Sequence, residues 1–220
     1  MIKYDKKSIM EYLNEDYEYC SNMIYDGENF YLEKLLRGSD TKYFNENKEE
    51  KIRKLCKYQL DNKTYHIFHT HPKTSYGTPS VEDIFYLTSS IKRKNVLFST
   101  IVTVLGTFFI RKHTKGCYNV DSKDIKIVQS LVDKINILTM SKDYKKYKYN
   151  IKYIPDKKFS YNSKTKYNLK ETERKKFDKM IEEINKIINK YDLHLMFSTT
   201  DNTPLAKYSI NKYKEKLSKN

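Results

Sequence analysis

Apolar residues recur along this chain at two different periods, and the changes of period mark out its elements. Ile125, Val128, Leu131, Val132, Ile135 and Leu138 return at helical spacing, which predicts an amphipathic helix over 122–140. Phe177, Met180, Ile181, Ile184, Ile187 and Ile188 repeat that stripe and predict a second helix over 171–191. Ser8 can cap a shorter helix running to Tyr17, with Ile9, Tyr12 and Leu13 on one face. Elsewhere the pattern is that of strands. Tyr, Ile and Phe flank Asp26-Gly27 between Glu18 and Lys34, the signature of a hairpin. Tyr65 to His71 has aromatic and β-branched content and is stopped by Pro72, which lacks a ladder donor. Leu193 to Phe197 reads as a further strand.

The apolar run Val96–Ile110 is too short for the ~18–20 residues a membrane helix needs and is interrupted by Gly106. It reads instead as two buried strands around a turn at Leu105-Gly106-Thr107. Ser80 caps a helix expected to reach Ile91, with Glu82 and Asp83 in the first turn, where the macrodipole favours acids. Residues 39–51 read as a polar surface loop, and 49–60 as a short helix or strand. The mixture of elements implies an α/β (α+β) fold, a sheet flanked by helices over 1–140. Residues 141–220 then form a basic Lys/Tyr-rich extension, in which a strand near Ile151–Ile154, the helix and the last strand make a small α/β unit.

Composition changes this picture in a few places. With 21 Tyr and 10 Phe the core must be aromatic, since total apolar content is low. A net charge of +15 can attract phosphate backbones, and the Lys/Tyr-interleaved run 142–166 could track nucleic acid, although such a run is more often a solvated surface, which is the favoured reading. Cys20, Cys56 and Cys117 are odd in number and form no CxxC pair, which argues against a disulfide framework or a thiolate zinc site and for a reducing, cytoplasmic setting. Cys20 reads as a packed thiol. No membrane span and no signal peptide are expected.

The candidate chemistry lies between residues 69 and 83. Residues two apart on a strand face the same way, so His69 and His71 present both imidazoles in one direction. Asp83, on the first turn of the next helix, can reach the same point when loop 72–79 folds back. Two nitrogens and one carboxylate leave a fourth tetrahedral position for water, the arrangement of a catalytic zinc site. His66 falls on the opposite face and reads as structural.

The string His69-Thr70-His71-Pro72, then Ser80-Val81-Glu82-Asp83, resembles the JAMM motif of the JAB/MPN metalloprotease family, H-x-H-P followed after a spacer by S-x-x-D. The spacer is one residue longer than is common in that family, and Gly77 could absorb the difference. The resemblance covers about residues 8–140 and implies a curved mixed sheet in an MPN-like layout, related in outline to cytidine deaminases. It further implies one Zn²⁺ per chain on His69, His71 and Asp83, with Glu18 as proton shuttle and Ser80 beside the oxyanion. The implied activity is isopeptide or peptide hydrolysis, and the implied partners are ubiquitin or ubiquitin-like conjugates. Glu15 is the alternative base, because the glycines that follow the glutamate in the family are absent here.

Two other function classes stand beside this one: a catalytically silent MPN scaffold, and a basic nucleic-acid-binding protein. A zinc nucleobase deaminase is excluded by the absence of H-x-E and P-C-x-x-C.

Overall fold

The structure is a computed structural model. It describes residues 1–5, 9, 11–13, 15, 17–44, 50–55, 58, 60–61, 63–72, 77–88, 95–103, 105–139 and 171–198. The fold is mixed α+β, in agreement with the expected class. Its strands are β1 (Ile2–Lys3), β2 (Tyr19–Tyr25), β3 (Phe30–Leu32), β4 (Leu36–Arg37), β5 (Ser39–Phe44), β6 (Glu50–Leu55), β7 (His66–Thr70), β8 (Phe98–Val102), β9 (Thr107–Lys112) and β10 (Leu193–Ser198). Its helices are α1 (Val81–Phe85), α2 (Ser122–Thr139) and α3 (Glu171–Ile188).

Eight strands form one mixed sheet in the order β1-β3-β2-β7-β8-β9-β10, with β4 also pairing β2. Among the described residues, β7 and β8 make the parallel pair, in register His66↔Phe98 to Thr70↔Val102. A parallel pair needs a crossover, and the chain between these strands carries α1. Asp83 is thereby delivered to the end of β7 that bears the histidines.

Alternation along the central strands divides the core in two. Ile67, Ile101, Phe108 and Ile110 face a cluster that includes Ile84, Val128, Val132, Ile135, Phe177, Ile184 and Ile188 from the three helices. Phe68, Phe98, Val102 and Phe109 face the other side, against Ile9, Leu13, Met23, Phe30 and Leu32. Burial on both faces explains why the 96–110 run lacks polar alternation. Each such side chain taken out of water contributes about 1.5–3 kcal/mol before entropy is counted.

The expected elements are largely present. The β2–β3 hairpin turns at Gly27, whose φ of 111° suits a residue without a Cβ. Asp26 Oδ1 accepts from the amides of Glu28 and Asn29 at 2.8 and 2.7 Å and closes that turn. At Gly106 a Cβ would stand 2.3 Å from the Ser198 carbonyl oxygen, so the β8–β9 turn requires glycine there. Ile9 and Leu13 of the short N-terminal helical segment are buried.

Four expectations are corrected. Residues 39–51 are not a loop: Ser39–Phe44 and Glu50–Leu55 pair antiparallel as a separate two-stranded ribbon. Strand pairing is made by backbone groups, and a charged sequence conceals it. The helix opened by Ser80 is short, giving way to a 3-10 turn at Tyr86–Thr88.

The last helix and strand do not form a unit of their own. β10 pairs with β9 from Leu193↔Lys112 to Ser198↔Thr107, and α3 contributes Phe177, Ile184 and Ile188 to the main core. The Asn185 amide binds both backbone groups of Leu195 at 2.8 and 2.7 Å, pinning α3 to the new strand. The expected strand near Ile151–Ile154 and the run 142–166 lie outside the described residues.

Cys20, finally, is not a free thiol but disulfide-bonded, while Cys117 is free and exposed. Sequence spacing carries no information on distance across a fold, and the cysteine argument for a reducing compartment falls with it. Among the described residues no helix is long and apolar enough to cross a membrane.

Candidate metal centre

His69 is the fourth residue of β7, and His71 follows directly after the strand. The His71 amide donates to the Val102 carbonyl at 2.9 Å, which keeps it extended beside β8 and preserves the shared face. Both imidazoles are buried, each 5% exposed, and their Nε2 atoms stand 3.1 Å apart. Asp83 stands against both rings, with Oδ1 at 3.3 Å from His69 Nε2 and Oδ2 at 3.1 Å from His71 Nε2.

The two contacts to Asp83 end on different carboxylate oxygens, so the three side chains surround one point rather than meeting in a single triangle of atoms. One ligand atom from each residue lies within 4.8 Å of the others, so His69, His71 and Asp83 could hold a metal ion.

Tautomers favour the same conclusion. His71 Nδ1 donates to the Thr78 carbonyl at 2.9 Å, because a carbonyl can only accept, and this leaves Nε2 as the ligand atom of a neutral ring. Thr78 is itself fixed by its hydroxyl, which donates to Asn136 Oδ1 of α2 at 2.8 Å, with both residues buried. His69 Nδ1 lies 2.6 Å from the Tyr58 hydroxyl. The two Nε2 atoms face each other at 3.1 Å with a carboxylate beside them, an arrangement that calls for positive charge there, as a proton or as a cation.

The electrostatics carry that demand. Burial pulls the His71 pKa down, but the hydrogen bond to Asp83, the charges of Asp83 and Glu18 and the Thr78 carbonyl outweigh it and take it up to about 9. Burial pushes the Asp83 carboxyl up, yet the charges and hydrogen bonds of His69 and His71 hold it well below the usual carboxylate range. His71 therefore holds positive charge at this point while Asp83 stays ionised beside it, and a cation is favoured there for the same reason.

Ser80 and Asp83 form a reciprocal cap. The Ser80 hydroxyl donates to Asp83 Oδ2 at 2.8 Å and accepts from the Asp83 amide at 3.1 Å, and the Ser80 amide donates to the same Oδ2 at 2.8 Å. The Ser80 proton is thus committed to Asp83, where the sequence placed it beside an oxyanion. Glu18, just ahead of β2, brings Oε1 to 3.9 Å from His71 Nε2. Glu15 accepts from the Tyr19 hydroxyl at 2.5 Å instead, so of the two candidate glutamates Glu18 is the one beside the histidines.

His66 points to the other face, as expected. It is fully buried among Phe30, Phe98 and Phe109, with Nε2 2.8 Å from the Thr100 hydroxyl. Sequence reasoning missed Tyr58, Thr78 and Asn136. None lies in the H-x-H-P or S-x-x-D strings, and no local pattern marks a residue that supports a ligand from elsewhere in the chain.

No family model, curated protein or solved structure matches this chain. The chemistry of the site therefore rests on its own donor set and geometry.

Proposed function

We propose that this chain is a mononuclear zinc hydrolase of JAMM type, cleaving isopeptide or peptide bonds in ubiquitin or ubiquitin-like conjugates. The observation that carries the reading is the convergence of His69, His71 and Asp83, one ligand atom of each within 4.8 Å of the others, with the Glu18 carboxylate 3.9 Å from His71. Two neutral nitrogens and one carboxylate are the donor set of a catalytic zinc, which keeps one position open. The isopeptide substrate rests on the motif resemblance.

A zinc ion, when bound, supplies Lewis acidity. Glu18 is read as the general base and acid: it takes a proton from the attacking water and returns it to the leaving amine. His69, His71 and Asp83 would hold the ion, and the Ser80 hydroxyl holds Asp83. A role for Ser80 at the oxyanion requires that hydroxyl to turn away from Oδ2.

Metal analysis combined with a cleavage panel of lysine-linked ubiquitin dimers and ubiquitin-like conjugates tests the reading. The parent is expected to bind one zinc per chain and to cleave at least one conjugate, and Asp83→Asn to lose both. A parent that binds no divalent metal overturns the site; one that binds zinc and cleaves nothing overturns the assigned activity.

A further inference from the structure

We infer that Tyr58 is a positioning residue of the metal centre, acting through His69; the inference rests on the metal-site reading above. A histidine that ligates through Nε2 must carry its proton on Nδ1, and that proton needs an acceptor. The acceptor within reach is the Tyr58 oxygen, 2.6 Å from His69 Nδ1. His71 has a backbone carbonyl in the equivalent place, which can only accept. Tyr58 differs, because a hydroxyl can donate or accept. It satisfies His69 in the metal-bound tautomer and also in the tautomer with the proton on Nε2.

The ring does a second job. It stands edge-on to His69 with centroids 6.1 Å apart, and lies tilted against Tyr86 at 5.4 Å. Tyr86 begins the 3-10 turn that continues α1, the helix bearing Asp83. Tyr58 therefore touches the strand that supplies the histidine and the turn continuous with the helix that supplies the carboxylate. Its ring, half-buried against the helix-side core, is braced by that core. Hydroxyl and ring thus have separable roles: the first gives the His69 Nδ1 proton its acceptor in the metal-bound tautomer, the second keeps two ligand-bearing elements in register.

The test compares the parent with Tyr58→Phe and Tyr58→Leu, using zinc affinity by chelator competition and the visible spectrum of the cobalt-substituted protein. Circular dichroism and thermal unfolding of the metal-free proteins check folding. Tyr58→Phe keeps the ring and is expected to fold as the parent does, to bind zinc about 10–100-fold more weakly, and to shift the cobalt bands. Tyr58→Leu is expected to weaken binding further. A Tyr58→Phe protein with the parent's affinity and an unchanged cobalt spectrum overturns the inference while leaving the metal site standing. A parent that binds neither metal overturns the site reading itself. If Tyr58→Leu fails to fold, Tyr58→Phe alone decides the hydroxyl's role.

Discussion

The Ser80 hydroxyl and the Asp83 carboxylate are bonded to each other at the start of α1, donating at 2.8 Å to Oδ2 and accepting at 3.1 Å from the Asp83 amide. The pair that opens the helix also aims the carboxylate at two histidines. Helix initiation and ligand orientation are one interaction, because the cap residue and the ligand are three positions apart.

Ser80→Ala should therefore lower two quantities together. Loss of the cap is expected to cost about 1 kcal/mol in chemical denaturation. Loss of the bond to Oδ2 should weaken zinc binding by roughly 10–100-fold in chelator competition. Unchanged zinc affinity in a variant that has lost the expected stability would show that Ser80 serves the helix alone.

Glu18 and Glu15 are separated by their surroundings, one 3.9 Å from His71 Nε2 and the other bonded to Tyr19. Glu18→Gln is expected to keep its metal and to lose conjugate cleavage by roughly 10²–10⁴-fold, the usual weight of a general base. Glu15→Gln should cleave at the parent's rate. The opposite pattern would transfer the base to Glu15.

The buried His66 predicts an acid limb in the stability curve. Burial lowers its pKa from 6.5 to about 3, so the folded protein keeps it neutral where the unfolded chain takes up a proton. The stability that depends on neutral His66 is complete above pH 6.5 and is lost as pH falls toward 3. The slope within that window is about 1.4 kcal/mol per pH unit for a group fully protonated in one state only. Denaturation of the parent and of His66→Phe, followed from pH 7 to pH 4, should show a shallower decline in the variant. Parallel curves would mean that His66 is charged in the folded state.

How far the fold was legible varies with the kind of signal. The stripes of 122–139 and 171–188 appear as helices close to their expected bounds, since a 3.6-residue period reports the core side of a helix wherever that core is. The apolar run around Gly106 appears as β8 and β9 because strands buried on both faces need no regular alternation of polar and apolar positions. The ribbon of β5 and β6 was concealed by its charge.

The amino-acid sequence by itself determined the donor types and their local geometry. A two-residue period sets His69 and His71 on one face, and a capped first turn brings Asp83 inward; both are backbone rules acting over a few residues. The tertiary structure decided everything that joins distant segments. It brought the Tyr58 hydroxyl to His69, Asn136 to Thr78 and thus to His71, Glu18 rather than Glu15 toward the site, and β10 onto β9. Those contacts depend on which surfaces pack across the sheet, a property of the whole chain that no short stretch of it encodes.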